Sequence, residues 1–151
     1  MKNRVLISAI LPLLLLAGCA IFGEDDDDLS EVAQQRRQWE RLGIDAYEYD
    51  LTIFCFCPHV DPVRVQVRAD TVFSVTLVET GAPVEDPFRA RTIDELFDVI
   101  EDAVAQEADQ LDVEYDEAFG YPSRIYVDYR INILDEEITF VAENLRPLRG
   151  D

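Results

Sequence analysis

Two cysteines and the only histidine of the chain fall within one short stretch: Cys55, Cys57 and His59. Thiolates and imidazoles carry nucleophilic, redox and soft-metal chemistry near neutral pH. At positions i, i+2 and i+4 they offer a sulfur, sulfur, nitrogen set to copper or zinc. A fourth zinc ligand has to be a carboxylate, and Pro58 redirects the chain before His59. A solvated loop histidine is the plainer reading of that residue. For the cysteine pair, a disulfide is the default wherever the compartment is oxidising. Regular strand geometry resists it. Residues two apart in a strand have Cα atoms about 6.6 Å apart, near the upper limit for a disulfide, and their Cβ atoms lie well beyond the roughly 4 Å required. A bond therefore needs a kink, and Pro58 helps by ending the strand. Two reduced buried thiols, a redox-active pair and a metal site stay open beside it. The redox reading lacks a Cys-x-x-Cys at a helix start, where the dipole lowers a thiol pKa.

The remaining chemistry is thinner. A serine triad must include His59, and the serines beyond the leader (Ser30, Ser74, Ser123) have no nucleophile-elbow context. There is no glycine-rich phosphate loop. Asp128, Asp135, Glu136 and Glu137 gather near the last hairpin, and paired carboxylates run glycosidic chemistry or bind calcium. With 32 acidic residues in the chain, such a cluster is expected by chance. Tyr47, Tyr49, Tyr115, Tyr121, Tyr126 and Tyr129 are candidates for a ligand groove, but packing is the usual fate of strand tyrosines. No catalytic set assembles, so the expectation is a protein that is not an enzyme and carries no cofactor.

Cys19 has a different chemistry. The chain opens with Lys2 and Arg4 and continues with an apolar run from Val5 to Leu16. At about 1.5 Å per residue this run is too short for a bilayer of roughly 30 Å, and it reads as a signal-peptide core. It ends in Leu16-Ala17-Gly18-Cys19, which resembles the bacterial lipobox. That resemblance implies a thioether-linked diacylglyceryl group on Cys19, cleavage before it and acylation of the new amino terminus. Residues 1–18 are then a lipoprotein signal peptide. Ala20, rather than an aspartate, follows the cysteine; in a Gram-negative cell this favours the outer membrane, on its periplasmic face.

Charge narrows the partners. The formal charge is −19. Removal of residues 1–18 takes Lys2 and Arg4 with it and leaves −21, every remaining cation being arginine. A chain this acidic has no basic patch for nucleic acid. Anionic head groups repel it too, so membrane attachment has to come through the N-terminal lipid. Glu24 to Asp28 are five adjacent acids, read with the rest of residues 19–29 as a disordered tether. These acids lack the alternation of a calcium loop.

Residues 30–151 read as one α+β domain. Ser30 is placed to cap a helix that runs to about Leu42 and stops at Gly43, with Val32, Trp39 and Leu42 on one face. From Asp45 to Cys57 the pattern has period two, with Tyr47, Tyr49, Leu51, Ile53, Cys55 and Cys57 on one side. Val63, Val65 and Val67 form a hairpin with Phe73, Val75 and Leu77. A three-residue turn at Ala69–Thr71 keeps both apolar sets on one face, whereas a two-residue turn does not. Thr92-Ile93-Asp94-Glu95 is a capping box for a helix with an apolar stripe from Ile93 to Ala108. Residues 111–115 follow, then a strand with Ile125, Val127 and Tyr129 inward, a turn at Asn132–Asp135 and a strand from Glu137 to Glu143. The order α-βββ-α-βββ predicts an antiparallel sheet of about six strands with two helices on one face. It also raises an internal duplication.

The lipobox, the Tyr47-Glu48-Tyr49 strand leading into Cys55-Phe56-Cys57-Pro58, the valine hairpin, the Thr-x-x-Glu-Leu-Phe helix at 92–97, and Phe119-Gly120-Tyr121-Pro122 followed by Asp128 together resemble the bacterial lipoprotein family catalogued as domain of unknown function 6174. The resemblance spans about Glu40 to Glu143, and Cys-x-Cys-Pro is its most specific piece. The family often has a glycine in the hairpin turn, where this chain has Asp70, a residue that also tolerates positive φ. The family implies an export route and a motif layout, and no activity. The expected function is a lipid-anchored cell-envelope protein that binds an unidentified envelope protein or ligand without catalysis. The alternative is an envelope thiol-redox or soft-metal protein acting through Cys55 and Cys57.

Overall fold

The computed structural model describes residues 24–57, 61–89 and 91–148, with side chains from Glu31 onward apart from that of Pro87. Cys19 and His59 lie outside the described residues. The elements in chain order are α1 (Glu24–Arg41), β1 (Ala46–Phe54), β2 (Val63–Arg68), β3 (Thr71–Leu77), α2 (Ile93–Ala105), β4 (Gln110–Tyr115), β5 (Pro122–Asp128) and β6 (Ile138–Pro147). A single 3-10 turn at Pro87–Arg89 precedes α2.

The strands form one antiparallel sheet in the order β3-β2-β1-β6-β5-β4. Period two sorts its faces. Tyr47, Tyr49, Leu51 and Ile53 of β1 are buried with Val63, Val65 and Val67 of β2, Ile125 and Val127 of β5, and Phe140 and Ala142 of β6. Both helices cover that face. α1 contributes Val32 and Trp39, and α2 contributes Ile93, Leu96, Phe97, Ile100 and Ala103. The fold is therefore α+β with two helices on one side of a six-stranded sheet. The order of the strands argues against duplication. β1 and β4 would be equivalent, yet they run in opposite directions, so superposing the halves would move one helix to the other face.

The opposite face is polar and paired. Asp50 accepts two hydrogen bonds from the Arg64 guanidinium, at 2.8 and 3.1 Å, and one from the Asn144 amide at 3.0 Å. Glu48 pairs with Arg146.

The capping box forms as the sequence implies. Thr92 Oγ1 accepts from the Glu95 amide at 3.1 Å, and Glu95 Oε2 accepts from the Thr92 amide at 2.7 Å. Two core tyrosines extend the cap. The Ile93 amide donates to the Tyr47 hydroxyl at 2.9 Å, and the Tyr49 hydroxyl donates to the Arg91 carbonyl at 2.9 Å. Strand β1 thus fixes where α2 begins. Thr92→Ala should lower unfolding free energy by about 1 kcal/mol, since one helix-start amide loses its acceptor. Urea denaturation checks this, and an unchanged midpoint would remove the cap from the account.

Burial raises the Tyr47 and Tyr49 phenols well above their usual range. Burial, and then the Asp116 charge, pushes Tyr121 up to about 12. Each of these groups holds its proton more tightly when folded than unfolded. Their stabilising contribution is complete below the unfolded value near pH 10 and is lost as pH rises through the folded values. Alkaline titration should show tyrosinate absorbance from this set appearing together with loss of circular dichroism. Ionisation near pH 10 in an intact fold would contradict their burial.

Several local expectations change. α1 starts at Glu24, ahead of Ser30, so the acids 24–28 belong to a helix rather than a disordered tether. Leu42 lies past the end of α1, where its amide closes a turn on the Trp39 carbonyl, and it is exposed. The β2–β3 turn has two residues, Ala69 and Asp70, with φ of 48° and 56°. Such turns match the twist of paired strands. The register shifts at a bulge, so that Val67 faces Val72 and Val65 still faces Val75. Phe73 is the extra residue; it leaves the core and lies exposed, 4.1 Å beneath the Arg68 guanidinium. A bulge therefore does what the three-residue turn was expected to do. Tyr129 sits beyond the end of β5 and is half-buried, and β6 runs on to Pro147 through a left-handed Asn144.

Candidate functional site

The sheet has two unlike ends. At one, the Ala69–Asp70 turn, the start of β1 and the start of α2 meet; this is the hairpin end. At the other, β1 and β5 stop and β6 begins; this is the tip end.

β1 stops at Phe54, three residues short of the expected Cys57. Cys55 and Cys57 occupy a bend, their Cα atoms 5.1 Å apart and their sulfurs at bonding distance. A link between residues two apart draws the Cα atoms closer than a pleat allows, so the chain leaves strand geometry at Cys55. The kink demanded by the sequence is present. Cys55 packs against the core and is half-buried, while Phe54 and Phe56 on either side of it are exposed, Phe56 at 81%. The bend forms one wall of a cleft of about 300 Å³, lined by Phe54, Cys55, Phe56, Asp135, Glu137 and Thr139.

The β5–β6 connection supplies the other wall, and its backbone is tied down by short-range polar bonds. The Arg130 amide donates to Asp128 at 3.1 Å, and the Ile131 amide donates to Asp109 at 2.8 Å. The Ile133 amide donates to the Arg130 carbonyl at 2.8 Å, and Asp135 turns the chain with φ of 71°. Tied in this way, the loop holds Ile131, Ile133 and Leu134 out in solvent, Leu134 at 87%. These three aliphatic residues were missed as site candidates. Their signal was legible: Ile-Asn-Ile-Leu is an apolar set inside a turn, where no core is available to receive it.

The carboxylate cluster disperses. Asp128 is buried and spent on the Arg130 amide, whereas Asp135 and Glu137 face the cleft. Among the described residues no group of three His, Cys, Asp or Glu side chains is arranged to hold a metal ion. The six tyrosines do not share a groove. Tyr47, Tyr49 and Tyr121 are core residues, Tyr115 stacks on Phe97, and Tyr126 and Tyr129 are only partly covered.

The hairpin end is acidic. Glu40, Asp45, Asp70 and Asp94 line an open hollow with Trp39. Burial raises the Asp94 carboxyl above its ordinary value; Asp70 and Glu40 add to this, and Arg36 opposes it.

Among the described residues no helix is long and apolar enough to cross a membrane. No curated protein and no solved structure matches the chain. A family model does match, over residues 31–147, which takes in every strand, α2 and the tip. The chain belongs to that family, a family of unknown function designated DUF6174.

Proposed function

We propose that this protein is a lipid-anchored component of the bacterial cell envelope, held through Cys19, and that it works as a non-catalytic interaction module through its tip end. One observation carries the interaction reading: five large apolar side chains stand exposed at the tip end, Phe54 and Phe56 lining its cleft beside the Cys55–Cys57 link, and Ile131, Ile133 and Leu134 on the hydrogen-bonded loop that also supplies Asp135 and Glu137 to that cleft. Apolar groups gathered at one site mark a contact surface, whereas scattered ones need no explanation. The leader and lipobox support the location, which is the periplasmic face of the outer membrane in a Gram-negative cell. Acidity supports a partner other than nucleic acid. Cell fractionation with Cys19→Ser tests the anchor.

The second reading is thiol-redox or soft-metal chemistry at Cys55 and Cys57, favoured by their half-exposed position at a bend. Mass spectrometry of the mature protein, alkylated with and without mild reductant, separates the two. The interaction reading expects a structural bond that survives mild reductant. Facile reduction to alkylated thiols would favour redox chemistry. Copper or zinc found by elemental analysis on the reduced protein would favour the metal form.

A further inference from the structure

Six of the nine exposed large apolar side chains among the described residues lie at the tip end: Phe54, Phe56, Val78, Ile131, Ile133 and Leu134. Leu42 and Phe73 lie at the hairpin end, Phe73 exposed with the Arg68 guanidinium against one side of its ring. The direction of α1 adds a second, independent observation. At the hairpin end Trp39 packs on Tyr47 and Tyr121. Seven residues earlier, Val32 lines a small cavity with Ile100 and the length of β4, Leu111, Val113 and Tyr115. Leu111 is opposite Val127, and Val127 is opposite Ile138, the first residue of β6. Followed from its last residue to its first, α1 therefore rises toward the tip. Glu24 precedes Val32 by eight residues, about 12 Å further along the axis in that direction. From Glu24 back to Cys19 the chain can span at most about 18 Å. The lipidated residue is thus tethered close to the apolar end of the fold, and the acidic hairpin end is held furthest from it.

We propose that the tip end rests on the bilayer, with Phe56, Ile131, Ile133 and Leu134 inserted at the interface beside the lipid chains on Cys19. This rests on the lipid-anchor reading and names the surface that the tip contacts. A short tether makes the second contact intramolecular, so a small apolar area is enough to hold an orientation. Aromatic and aliphatic side chains suit the boundary between head groups and acyl chains. Charge selects the lipid. Asp109, Asp135, Glu136 and Glu137 outnumber the single cation, Arg130, beside the inserted residues, so a zwitterionic surface is tolerated and an anionic one opposes seating. Seated this way, the acidic hairpin end projects away from the membrane, and the polar sheet face stands upright beside it.

The test uses the full mature protein with its lipid, reconstituted into phosphatidylcholine vesicles with and without brominated acyl chains. Leu134→Trp reports on the tip and Phe73→Trp on the opposite end; both sites are exposed, so the fold tolerates the change. The native Trp39, 4% exposed at the hairpin end, supplies the baseline. Flotation reads the anchor and bromine quenching reads the tip. The expected result is flotation of both variants, with the added indole blue-shifted and quenched severalfold more in Leu134→Trp than in Phe73→Trp. Replacing part of the neutral lipid by phosphatidylglycerol should weaken that quenching while flotation persists. Flotation without preferential quenching at position 134 overturns the seated tip, leaves the anchor standing and points to a protein at that surface. Failure to float overturns the anchor, and this orientation with it.

Discussion

Cys19→Ser is expected to transfer the protein from the membrane pellet to the soluble exported fraction. No described helix can span a bilayer, and the charge of the chain offers anionic lipid nothing. Under the proposed lipid anchor, retention falls to the acyl chains, each buried CH₂ of which contributes about 0.8 kcal/mol. A single acyl chain holds with an association constant of about 10⁴ M⁻¹, and additional chains make the attachment stable. Losing them should reduce membrane partition by about a hundredfold or more. The tip side chains cannot replace the anchor, since without a tether their contact is bimolecular and opposed by the surrounding acids. Quantitative fractionation, with a labelled-palmitate check on the wild type, reads the outcome. Undiminished membrane retention of the variant, shown by mass to have lost residues 1–18, would exclude Cys19 as the anchor.

Phe97→Ala is expected to have the largest effect on folding, a loss of about 3–5 kcal/mol. Phe97 is fully buried on α2, stacked on Tyr115 with ring centroids 6.4 Å apart. Arg36 of α1 lies 5.7 Å above its ring and pairs with Asp98 and Glu101 at 2.8 and 2.7 Å. Removing the ring opens a cavity and takes away the floor on which α1 meets α2. A domain of this size has roughly 7–20 kcal/mol in hand, so the change consumes a large share of it. Leu134→Ala and Phe56→Ala, at exposed sites, should stay within about 0.5 kcal/mol of wild type. Urea unfolding of the three variants therefore separates residues that hold the fold from residues kept at the surface for contact. A loss below about 1 kcal/mol for Phe97→Ala would mean that the helix layer is not packed as described.

Much of the fold was legible because its determinants are local. Thr92 and Glu95 are three residues apart, and a capping box is decided within one helical turn. The alternation of Tyr47, Tyr49, Leu51 and Ile53 marks a strand with one buried face whatever its neighbours are. The hairpin was harder. Its register depended on a bulge at Phe73, and an apolar residue that pairs with Arg68 has the same hydropathy as one that enters the core. The end of β1 was harder still. Alternation continues through Cys57, so only the geometric demand of a Cys55–Cys57 bond signalled that strand geometry must stop first.

By itself the sequence determined the α+β class, the two helices and the acidity, and it raised the export leader with its lipobox and a partner other than nucleic acid as expectations. These follow from composition and from spacings shorter than a helical turn or a strand pleat. Only the tertiary structure decided that β1 pairs with β6, nearly ninety residues away at Ile53 and Phe140, and that Phe54 and Phe56 come to stand across a cleft from Asp135 and Glu137. The apolar tip exists because antiparallel pairing of distant strands brings one bend and one loop to the same end of the sheet. No local pattern encodes that meeting, because its parts contribute nothing to one another until the strands between them have paired.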